Sequence, residues 1–256
     1  MASSGSGYDL SPTTFSPDGR IFQVEYASKS VASSGTLIGL KCSDGIVLAC
    51  EKLLANKMLV PGSNRRINTV SKNAGCAFTG FVSDGRQIVN RSREESSSYL
   101  DTYGIPIPPA VLADRLAHYV HYFTMHGALR PFGASMVLGC YEEDMDELGL
   151  YMVEPSGQVF KYYGCAAGKG RQGAKTEIEK LDLSTLTVAQ GIKEAARIIT
   201  MLRDDGKDKP MELEISTLTA SNNYVHKPCT SAEIAEAEKW AKEQIEEEED
   251  MEEEED

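Results

Sequence analysis

The order of elements along the chain predicts an α/β fold of two stacked sheets covered by helices on both outer faces. Three observations predict it. Strand signals come in clusters joined by tight turns, near residues 36–51, 67–79 and 134–166. Between and after these clusters the apolar spacing changes to three and four, giving helices in pairs. A late strand and a last helix close the chain.

Each element has a local reason. Ser16-Pro17-Asp18-Gly19 reads as a turn, with proline fixing φ and glycine at the turn's end. Asp18 is the expected cap of the helix that follows, in which Ile21, Val24, Ala27 and Val31 share one face. Thr36–Cys42 and Ile46–Glu51 are β runs flanking Ser43-Asp44-Gly45, a hairpin signal. Ile67–Val70 and Gly75–Thr79 read as a second pair. Residues 84–102 are helical but polar, so one face must meet solvent or a partner. Pro106, Pro108 and Pro109 break the chain, and Leu112, Leu116, Tyr119 and Phe123 form the core stripe of the next helix. Strands return at Ala134–Tyr141, Gly149–Glu154 and Gln158–Ala166, with Glu154-Pro155-Ser156-Gly157 as a tight turn. Ala174, Ile178 and Leu181 mark one helix, and Val188, Ile192, Ala195, Ile199 and Leu202 the next. Met211–Leu218 is a strand, and Thr230-Ser231-Ala232-Glu233 is a capping box opening a helix with Ile234, Ala237, Ala241 and Ile245 on one side.

Composition bounds the function. The chain has 256 residues, 41% hydrophobic and 25% charged, which is ordinary for a globular domain. Segment 246–256 holds ten acidic residues and no basic one, and removing it takes the formal net charge from −13 to −3. Neither body nor tail is the basic surface that nucleic acid requires. No apolar leader and no run near 18 apolar residues is present, which argues against secretion and membrane spanning. Cys42, Cys50, Cys76, Cys140 and Cys165 lie in apolar strand-like runs and Cys229 apart from them, and no C-x-x-C occurs, so buried thiols of a reducing compartment are expected. The domain reading is a flexible tail at 1–14, one domain at 15–245 and a disordered acidic tail at 246–256.

Two further motifs carry chemistry in other contexts. Gly168-Lys169-Gly170-Arg171-Gln172-Gly173 fits G-x-G-x-x-G between a strand and a helix. The next segment is a second helix, not the returning parallel strand, and no acidic residue ends a strand at the expected distance. A glycine-rich turn is the better reading. His118, His121 and His126 cluster on one helix without a carboxylate or thiolate pair beside them, so no metal site and no cofactor are expected.

Gly7-Tyr8-Asp9 followed by F-S-P-D-G-R-I-F-Q-V-E-Y-A at Phe15 to Ala27 resembles the N-terminal signature of α-type subunits of the 20S proteasome. The resemblance continues through Gly39 to Lys52, Gly80 to Arg86, Arg130-Pro131-Phe132-Gly133 and Gly168 to Lys180. It implies the four-layer αββα sandwich of the N-terminal-nucleophile hydrolases. It implies a non-catalytic place in a heptameric α ring, beside other α subunits, stacked on a β ring and bound by regulatory activator particles. It implies a cytoplasmic and nuclear complex that degrades proteins marked with ubiquitin, with ATP entering through the regulatory particle. Tyr8, Asp9, Pro17 and Tyr26 match the cluster that holds the N-terminal tail in its open arrangement, although the family's arginine is Leu10 here. Ser34, Gly35, Arg66 and Phe81 match the pocket for activator C-termini. The active relatives' nucleophile, aspartate and lysine fall on Gly35, Glu51 and Arg66, and glycine has no hydroxyl while arginine cannot relay a proton. A self-processing hydrolase with Thr36 as nucleophile is the rival, and it is expected to fail because one residue's shift places Thr36 on the face opposite Glu51. Phosphoacceptor serines seen in some relatives' tails have no counterpart, since no serine or threonine follows Glu243.

Overall fold

The structure is a computed structural model and describes residues 7–54, 56, 58–60, 62–203 and 210–255, without the side chains of 249 and 251–255. Residues 1–6 of the expected N-terminal tail, and residue 256, lie outside the described residues.

Two five-stranded antiparallel sheets form the centre. In the first the order is β10 (Lys227–Pro228), β9 (Met211–Thr219), β2 (Gly45–Leu53), β1 (Leu37–Cys42), β8 (Gly164–Ala167). In the second it is β3 (Ile67–Ser71), β4 (Ala74–Gly80), β5 (Ala134–Glu142), β6 (Glu147–Val153), β7 (Val159–Lys161). The β1–β2 hairpin turns at Ser43-Asp44, with Cys42 opposite Gly45.

Alternation along the strands sorts three apolar layers. Ile38, Leu40, Val47 and Ala49 face α4 (Arg171–Lys180), α5 (Val188–Met201) and α6 (Ser231–Glu255), packing on Ile178, Ala195, Ile199 and Ala241. Phe78, Met136 and Leu138 face α2 (Val82–Tyr103) and α3 (Pro109–Tyr122), packing on Ile88, Leu112 and Leu116. Leu37, Ile46, Leu48, Val137 and Leu150 fill the space between the sheets. Strands buried on both faces read as continuous apolar runs, and each fully buried aliphatic side chain contributes about 1.5–3 kcal/mol. This is the αββα sandwich that the sequence implied.

Some expectations need correcting. The run Gln158–Ala166 is not one strand. The chain leaves the second sheet after β7, crosses at Tyr162-Tyr163, and joins β1 of the first sheet as β8. An apolar run shows burial but not which sheet buries it. Asp18 does not cap α1 (Phe22–Ala32), since Ile21 is the N-cap and supplies no side-chain bond. The Ser16 hydroxyl takes over locally, accepting the Arg20 N–H at 3.0 Å. Separately, helix α6 continues along the acidic run to Glu255. Glutamate is a good helix former, and Arg197 of α5 pairs with Glu248 at 3.4 Å as well as with Glu177 and Glu194.

Nothing in the sequence singles out His226. It lies buried just before β10, with Nδ1 2.8 Å from the Thr69 hydroxyl of β3 and Nε2 2.9 Å from the Ser216 hydroxyl of β9. One imidazole thus ties the two sheets together, and its ring occupies the space that a side chain at Gly75 would need. Burial lowers its pKa from 6.5 to about 4. The unfolded chain therefore binds more protons between those values, so stability is full above pH 6.5 and falls as pH drops toward 4. The whole shift corresponds to roughly 2–4 kcal/mol. Chemical denaturation at pH 7 and pH 5 should show a fall that is reduced in His226→Gln. Equal falls in the two proteins would show that His226 does not titrate in this way.

Candidate functional site

One end of the sandwich collects the residues singled out in the sequence, and α1 covers that end. The turn before α1 forms as expected, with the Gly19 N–H donating to the Ser16 carbonyl at 2.9 Å and Gly19 at φ 74°. Pro17 stands exposed on it. Arg20 then grips Glu25 with both arms of its guanidinium, which holds the Glu25 carboxyl below its usual pKa. That fork fixes how the turn enters the helix.

Among the described residues, the tail just upstream is hydrogen-bonded to α1 through Asp9. The Tyr26 hydroxyl donates to the Asp9 carboxylate at 3.2 Å, and the Gln23 amide donates to the Asp9 main-chain carbonyl. Gln23 and Tyr26 are three apart and so share a helix face. The structure therefore brings Asp9 and Tyr26 together and adds Gln23, which the sequence reading missed. It does not bring Tyr8 or Pro17 into a hydrogen bond with them among the described residues. Leu10, where the family has arginine, is 87% exposed.

From α1 the chain runs into the second group. The Ser34 hydroxyl donates to the Ser30 carbonyl at 2.9 Å, and the Gly35 carbonyl accepts from the Thr79 hydroxyl at 2.6 Å. The Gly133 carbonyl accepts from both the Phe81 N–H at 2.9 Å and the Ser30 hydroxyl at 3.1 Å. Gly133 in turn donates its N–H to Asp84 at 2.8 Å. Asp84 is buried and clasped bidentately by Arg130 at 2.6 and 2.8 Å, which pulls its pKa down. Arg130 and Asp84 thus fix Gly133, and Gly133 fixes α1 and Phe81 together. The signal for this was present in Arg130-Pro131-Phe132-Gly133, but not its partner. Gly80 at φ 113° makes the close approach possible, because a Cβ there would fall 2.2 Å from the Gly133 carbonyl oxygen.

Arg66 donates from Nη1 to the Gly80 carbonyl at 3.1 Å, and its guanidinium lies 5.6 Å from the centre of the Phe78 ring. Its Nε has no hydrogen-bond partner among the described residues. Phe81, next in the chain to Gly80, is 56% exposed. Ser34, Gly35, Arg66 and Phe81 therefore stand at the same strand ends, linked through Thr79, Gly80 and Gly133.

No nucleophile is formed here. At Gly35 even a Cβ would lie 2.2 Å from the Glu51 carbonyl oxygen, so no side chain fits where the active relatives carry theirs. The expectation about Thr36 needs a correction. Leu37 pairs with Cys50, so Thr36 lies opposite Glu51 on the same face, and its N–H donates to the Glu51 carboxylate at 2.9 Å. What disables Thr36 is its surroundings. It is 1% exposed, its nitrogen is acylated by Gly35, and its hydroxyl already accepts the Gly170 N–H at 3.2 Å. Glu51 is engaged by Lys169 at 3.1 Å.

The other motifs resolve as packing. β8 is antiparallel to β1, and α5 follows α4 with no parallel strand between them. Side chains at Gly168, Gly170 and Gly173 would strike the Gly35 carbonyl, the Thr36 hydroxyl and Leu202. His118 and His126 each place Nδ1 2.8 Å from a carbonyl one turn back, and among the described residues no group of side chains could hold a metal. Five cysteines are buried, and burial raises the pKa of all six thiols well above 9, against nucleophilic or ligand roles.

Residues 31–218 match the family described as proteasome subunit, and residues 8–29 match the N-terminal signature of A-type proteasome subunits. The chain belongs to the proteasome subunit family. Proteins named as the alpha type-3 proteasome subunits of Acanthamoeba castellanii and Arabidopsis thaliana are 54% and 51% identical to it, over 98% and 96% of this chain and 99% and 98% of theirs. A protein of Saccharomyces cerevisiae named as a probable alpha type-7 proteasome subunit is 46% identical over 96% of this chain and 86% of its own. Similarity to the type-3 proteins accords with Tyr8-Asp9-Leu10, with Gly164 to Leu181 and with the acidic C-terminal run. In this member of the proteasome family the A-type signature spans Asp9 of the tail, the turn, and the helix that carries Gln23 and Tyr26.

The clasp can be tested directly. Asp84→Ala should lower stability by about 1.5–3 kcal/mol, the scale of a lost charge-assisted hydrogen bond. Arg130→Ala should cost a comparable amount, because it leaves the Asp84 carboxylate, 7% exposed, without its counter-charge. Urea unfolding of both single variants and the double variant gives the coupling. Strictly additive losses would show that the two residues do not act as a pair.

Proposed function

We propose that this chain is a non-catalytic α-ring subunit of the 20S proteasome core, most like alpha type-3, which positions an entry gate and offers a docking pocket to activators. The observation that carries this reading is the double hold on Asp9 by Gln23 and Tyr26. It ties the start of the described chain to the helix that also closes the end of the sandwich. The tail beyond Asp9 would occupy the pore sterically, and Tyr8, Asp9, Pro17 and Tyr26 would hold its open arrangement. Exposed Leu10 offers no ionic contact, so hydrogen bonds and the Tyr8 ring would have to hold this tail.

Ser34, Gly35, Arg66 and Phe81 would form this subunit's part of an activator pocket. A terminal carboxylate would pair with the Arg66 fork, and the side chain before it would lie on Phe81. The partners proposed are other α subunits in a heptameric ring, the β ring and regulatory particles, in a cytoplasmic and nuclear complex serving ubiquitin-dependent degradation. Among the described residues no helix is long and apolar enough to cross a membrane.

The test is purification of the native complex through a C-terminal tag. Other proteasome subunits should co-purify, and the mass of this chain should still include residues 1–35 apart from terminal trimming. A product beginning at Thr36, with activity lost on Thr36→Ala, would establish the hydrolase instead. In the assembled complex Arg66→Ala should weaken an activator's C-terminal peptide about tenfold to a hundredfold at this pocket. Tyr26→Phe, which deletes only the bond to Asp9, should change activator-stimulated peptide hydrolysis while leaving assembly intact. Full stimulation in both Tyr26→Phe and Tyr8→Ala would remove this tail from the gate.

A further inference from the structure

A cavity of about 400 Å³ opens beside the proline loop that joins α2 to α3. It lies at the far end of β4 from Phe81, with Ala74 and Cys140 in its lining and Gly80 six residues away along the strand. One side of it is apolar, with Leu100 from α2, Ile107 and Pro108 from the loop and Leu112 from α3. The volume lies in the range of small binding sites, enough for one large side chain and its neighbours.

Two features separate this cavity from a packing gap. Ser96 and Asn73 both belong to the lining, and the Ser96 hydroxyl and the Asn73 Oδ1, buried at its wall, have no hydrogen-bond partner among the described residues. Ser96 is only 8% exposed, whereas Ser92 one turn earlier bonds the Ile88 carbonyl in the usual way. A buried polar group left unpaired is unfavourable, and a ligand that supplies a partner removes that cost. The second feature is charge. Glu142, Glu143 and Asp144 stand along one rim, against Lys72 as the cation among the described lining residues.

We propose that this cavity receives a short basic segment of a partner protein, with one aromatic side chain inserted and Lys or Arg on either side. The ring packs between Leu100 and Ile107. A tyrosine hydroxyl at its tip reaches the Ser96 hydroxyl, and a donor of the segment satisfies Asn73 Oδ1. The flanking cations meet the acidic rim. The chain's own 246–256 run is acidic and is repelled by that rim, so it is not the occupant. The proposal does not rest on the pocket at Arg66 or on the gate.

The experiment uses the native assembly that purifies with the full-length chain. The probe is acetyl-Lys-(benzoylphenylalanine)-Arg-amide, photolysed and mapped by mass spectrometry. Adducts are expected in 71–74 or 96–112 and should be suppressed by acetyl-Lys-Tyr-Arg-amide. Acetyl-Lys-Ala-Arg-amide and acetyl-Glu-Tyr-Glu-amide should suppress about tenfold less well, the effect of about 1.4 kcal/mol. Glu143→Lys with Asp144→Lys, both on the exposed turn, should cut labelling to a similar degree. Ile107→Trp should abolish it by filling the cavity, with thermal unfolding showing that the variant still folds. No adduct in these segments overturns the proposal, as does undiminished labelling of the Glu143→Lys, Asp144→Lys protein. Suppression by free tyramine as effective as by the tripeptide would make this a small-amine site and overturn the claim of a peptide partner.

Discussion

The close approach of two sheets is the constraint on which everything else depends. At Gly39 a Cβ would come 2.8 Å from Val137 and 3.0 Å from Leu150 of the opposite sheet, so glycine there sets the spacing. With the sheets at that distance, Leu37, Ile46, Leu48 and Val137 are removed from water entirely. A larger residue at Gly39 would wedge the layer open, and interiors packed at crystal density do not absorb such a change locally. Side chains at the sheet ends inherit this spacing. Thr79 reaches the Gly35 carbonyl and His226 spans from Thr69 to Ser216 only because the strands that carry them are held at bonding distance.

A sandwich of this kind has open ends, and buried backbone groups at an end need partners. At one end α1 and the 133–134 segment supply them, through Ser30, Gly133 and Asp84. The result is a surface whose donors and acceptors are mostly spent on each other. In an active relative the same position must keep a hydroxyl and an amine free. Here Glu51 is held by Thr36 and Lys169, and Gly35 sits where nothing larger than hydrogen fits. The loss of catalysis is therefore a packing property of this end, not only the absence of one hydroxyl.

Much of the fold was legible because hairpin chemistry and apolar period are local. The Ser43-Asp44-Gly45 turn, the capping box at Thr230 and Glu233, and the stripe on α3 are each encoded within a few residues. What the sequence could not show involves partners far apart in the chain. The crossing of 158–166 between sheets depends on which edge is vacant, and His226 gains meaning only from Thr69, 157 residues away. Asp84 and Arg130 are 46 residues apart, so neither shows the other as its partner. The Thr36 correction is of another kind. Strand alternation holds there, but the face depends on register with β2, and register is a property of the pair of strands.

The charges at the covered end also bear on what could bind there. Asp84 pairs with Arg130, Arg20 with Glu25, Lys52 with Glu212 and Glu51 with Lys169. Paired charges have short-range fields, and salt screens what remains beyond about 8–10 Å. Arg66 differs from these. Its guanidinium meets the Gly80 carbonyl and the Phe78 face, and it is its main-chain N–H, not its guanidinium, that bonds Glu214 at 2.9 Å. At Arg66 an arriving carboxylate would have no ion pair among the described residues to break first. Burial of the guanidinium lowers its pKa, a sign that its charge is poorly solvated. A poorly solvated cation gains more from a new counter-charge than one already in water, since less hydration is surrendered on pairing. Phe81, exposed, follows in the chain the Gly80 whose carbonyl Arg66 bonds. The docking role proposed above for Arg66 would draw on this setting, a partly buried guanidinium lying on the Phe78 ring.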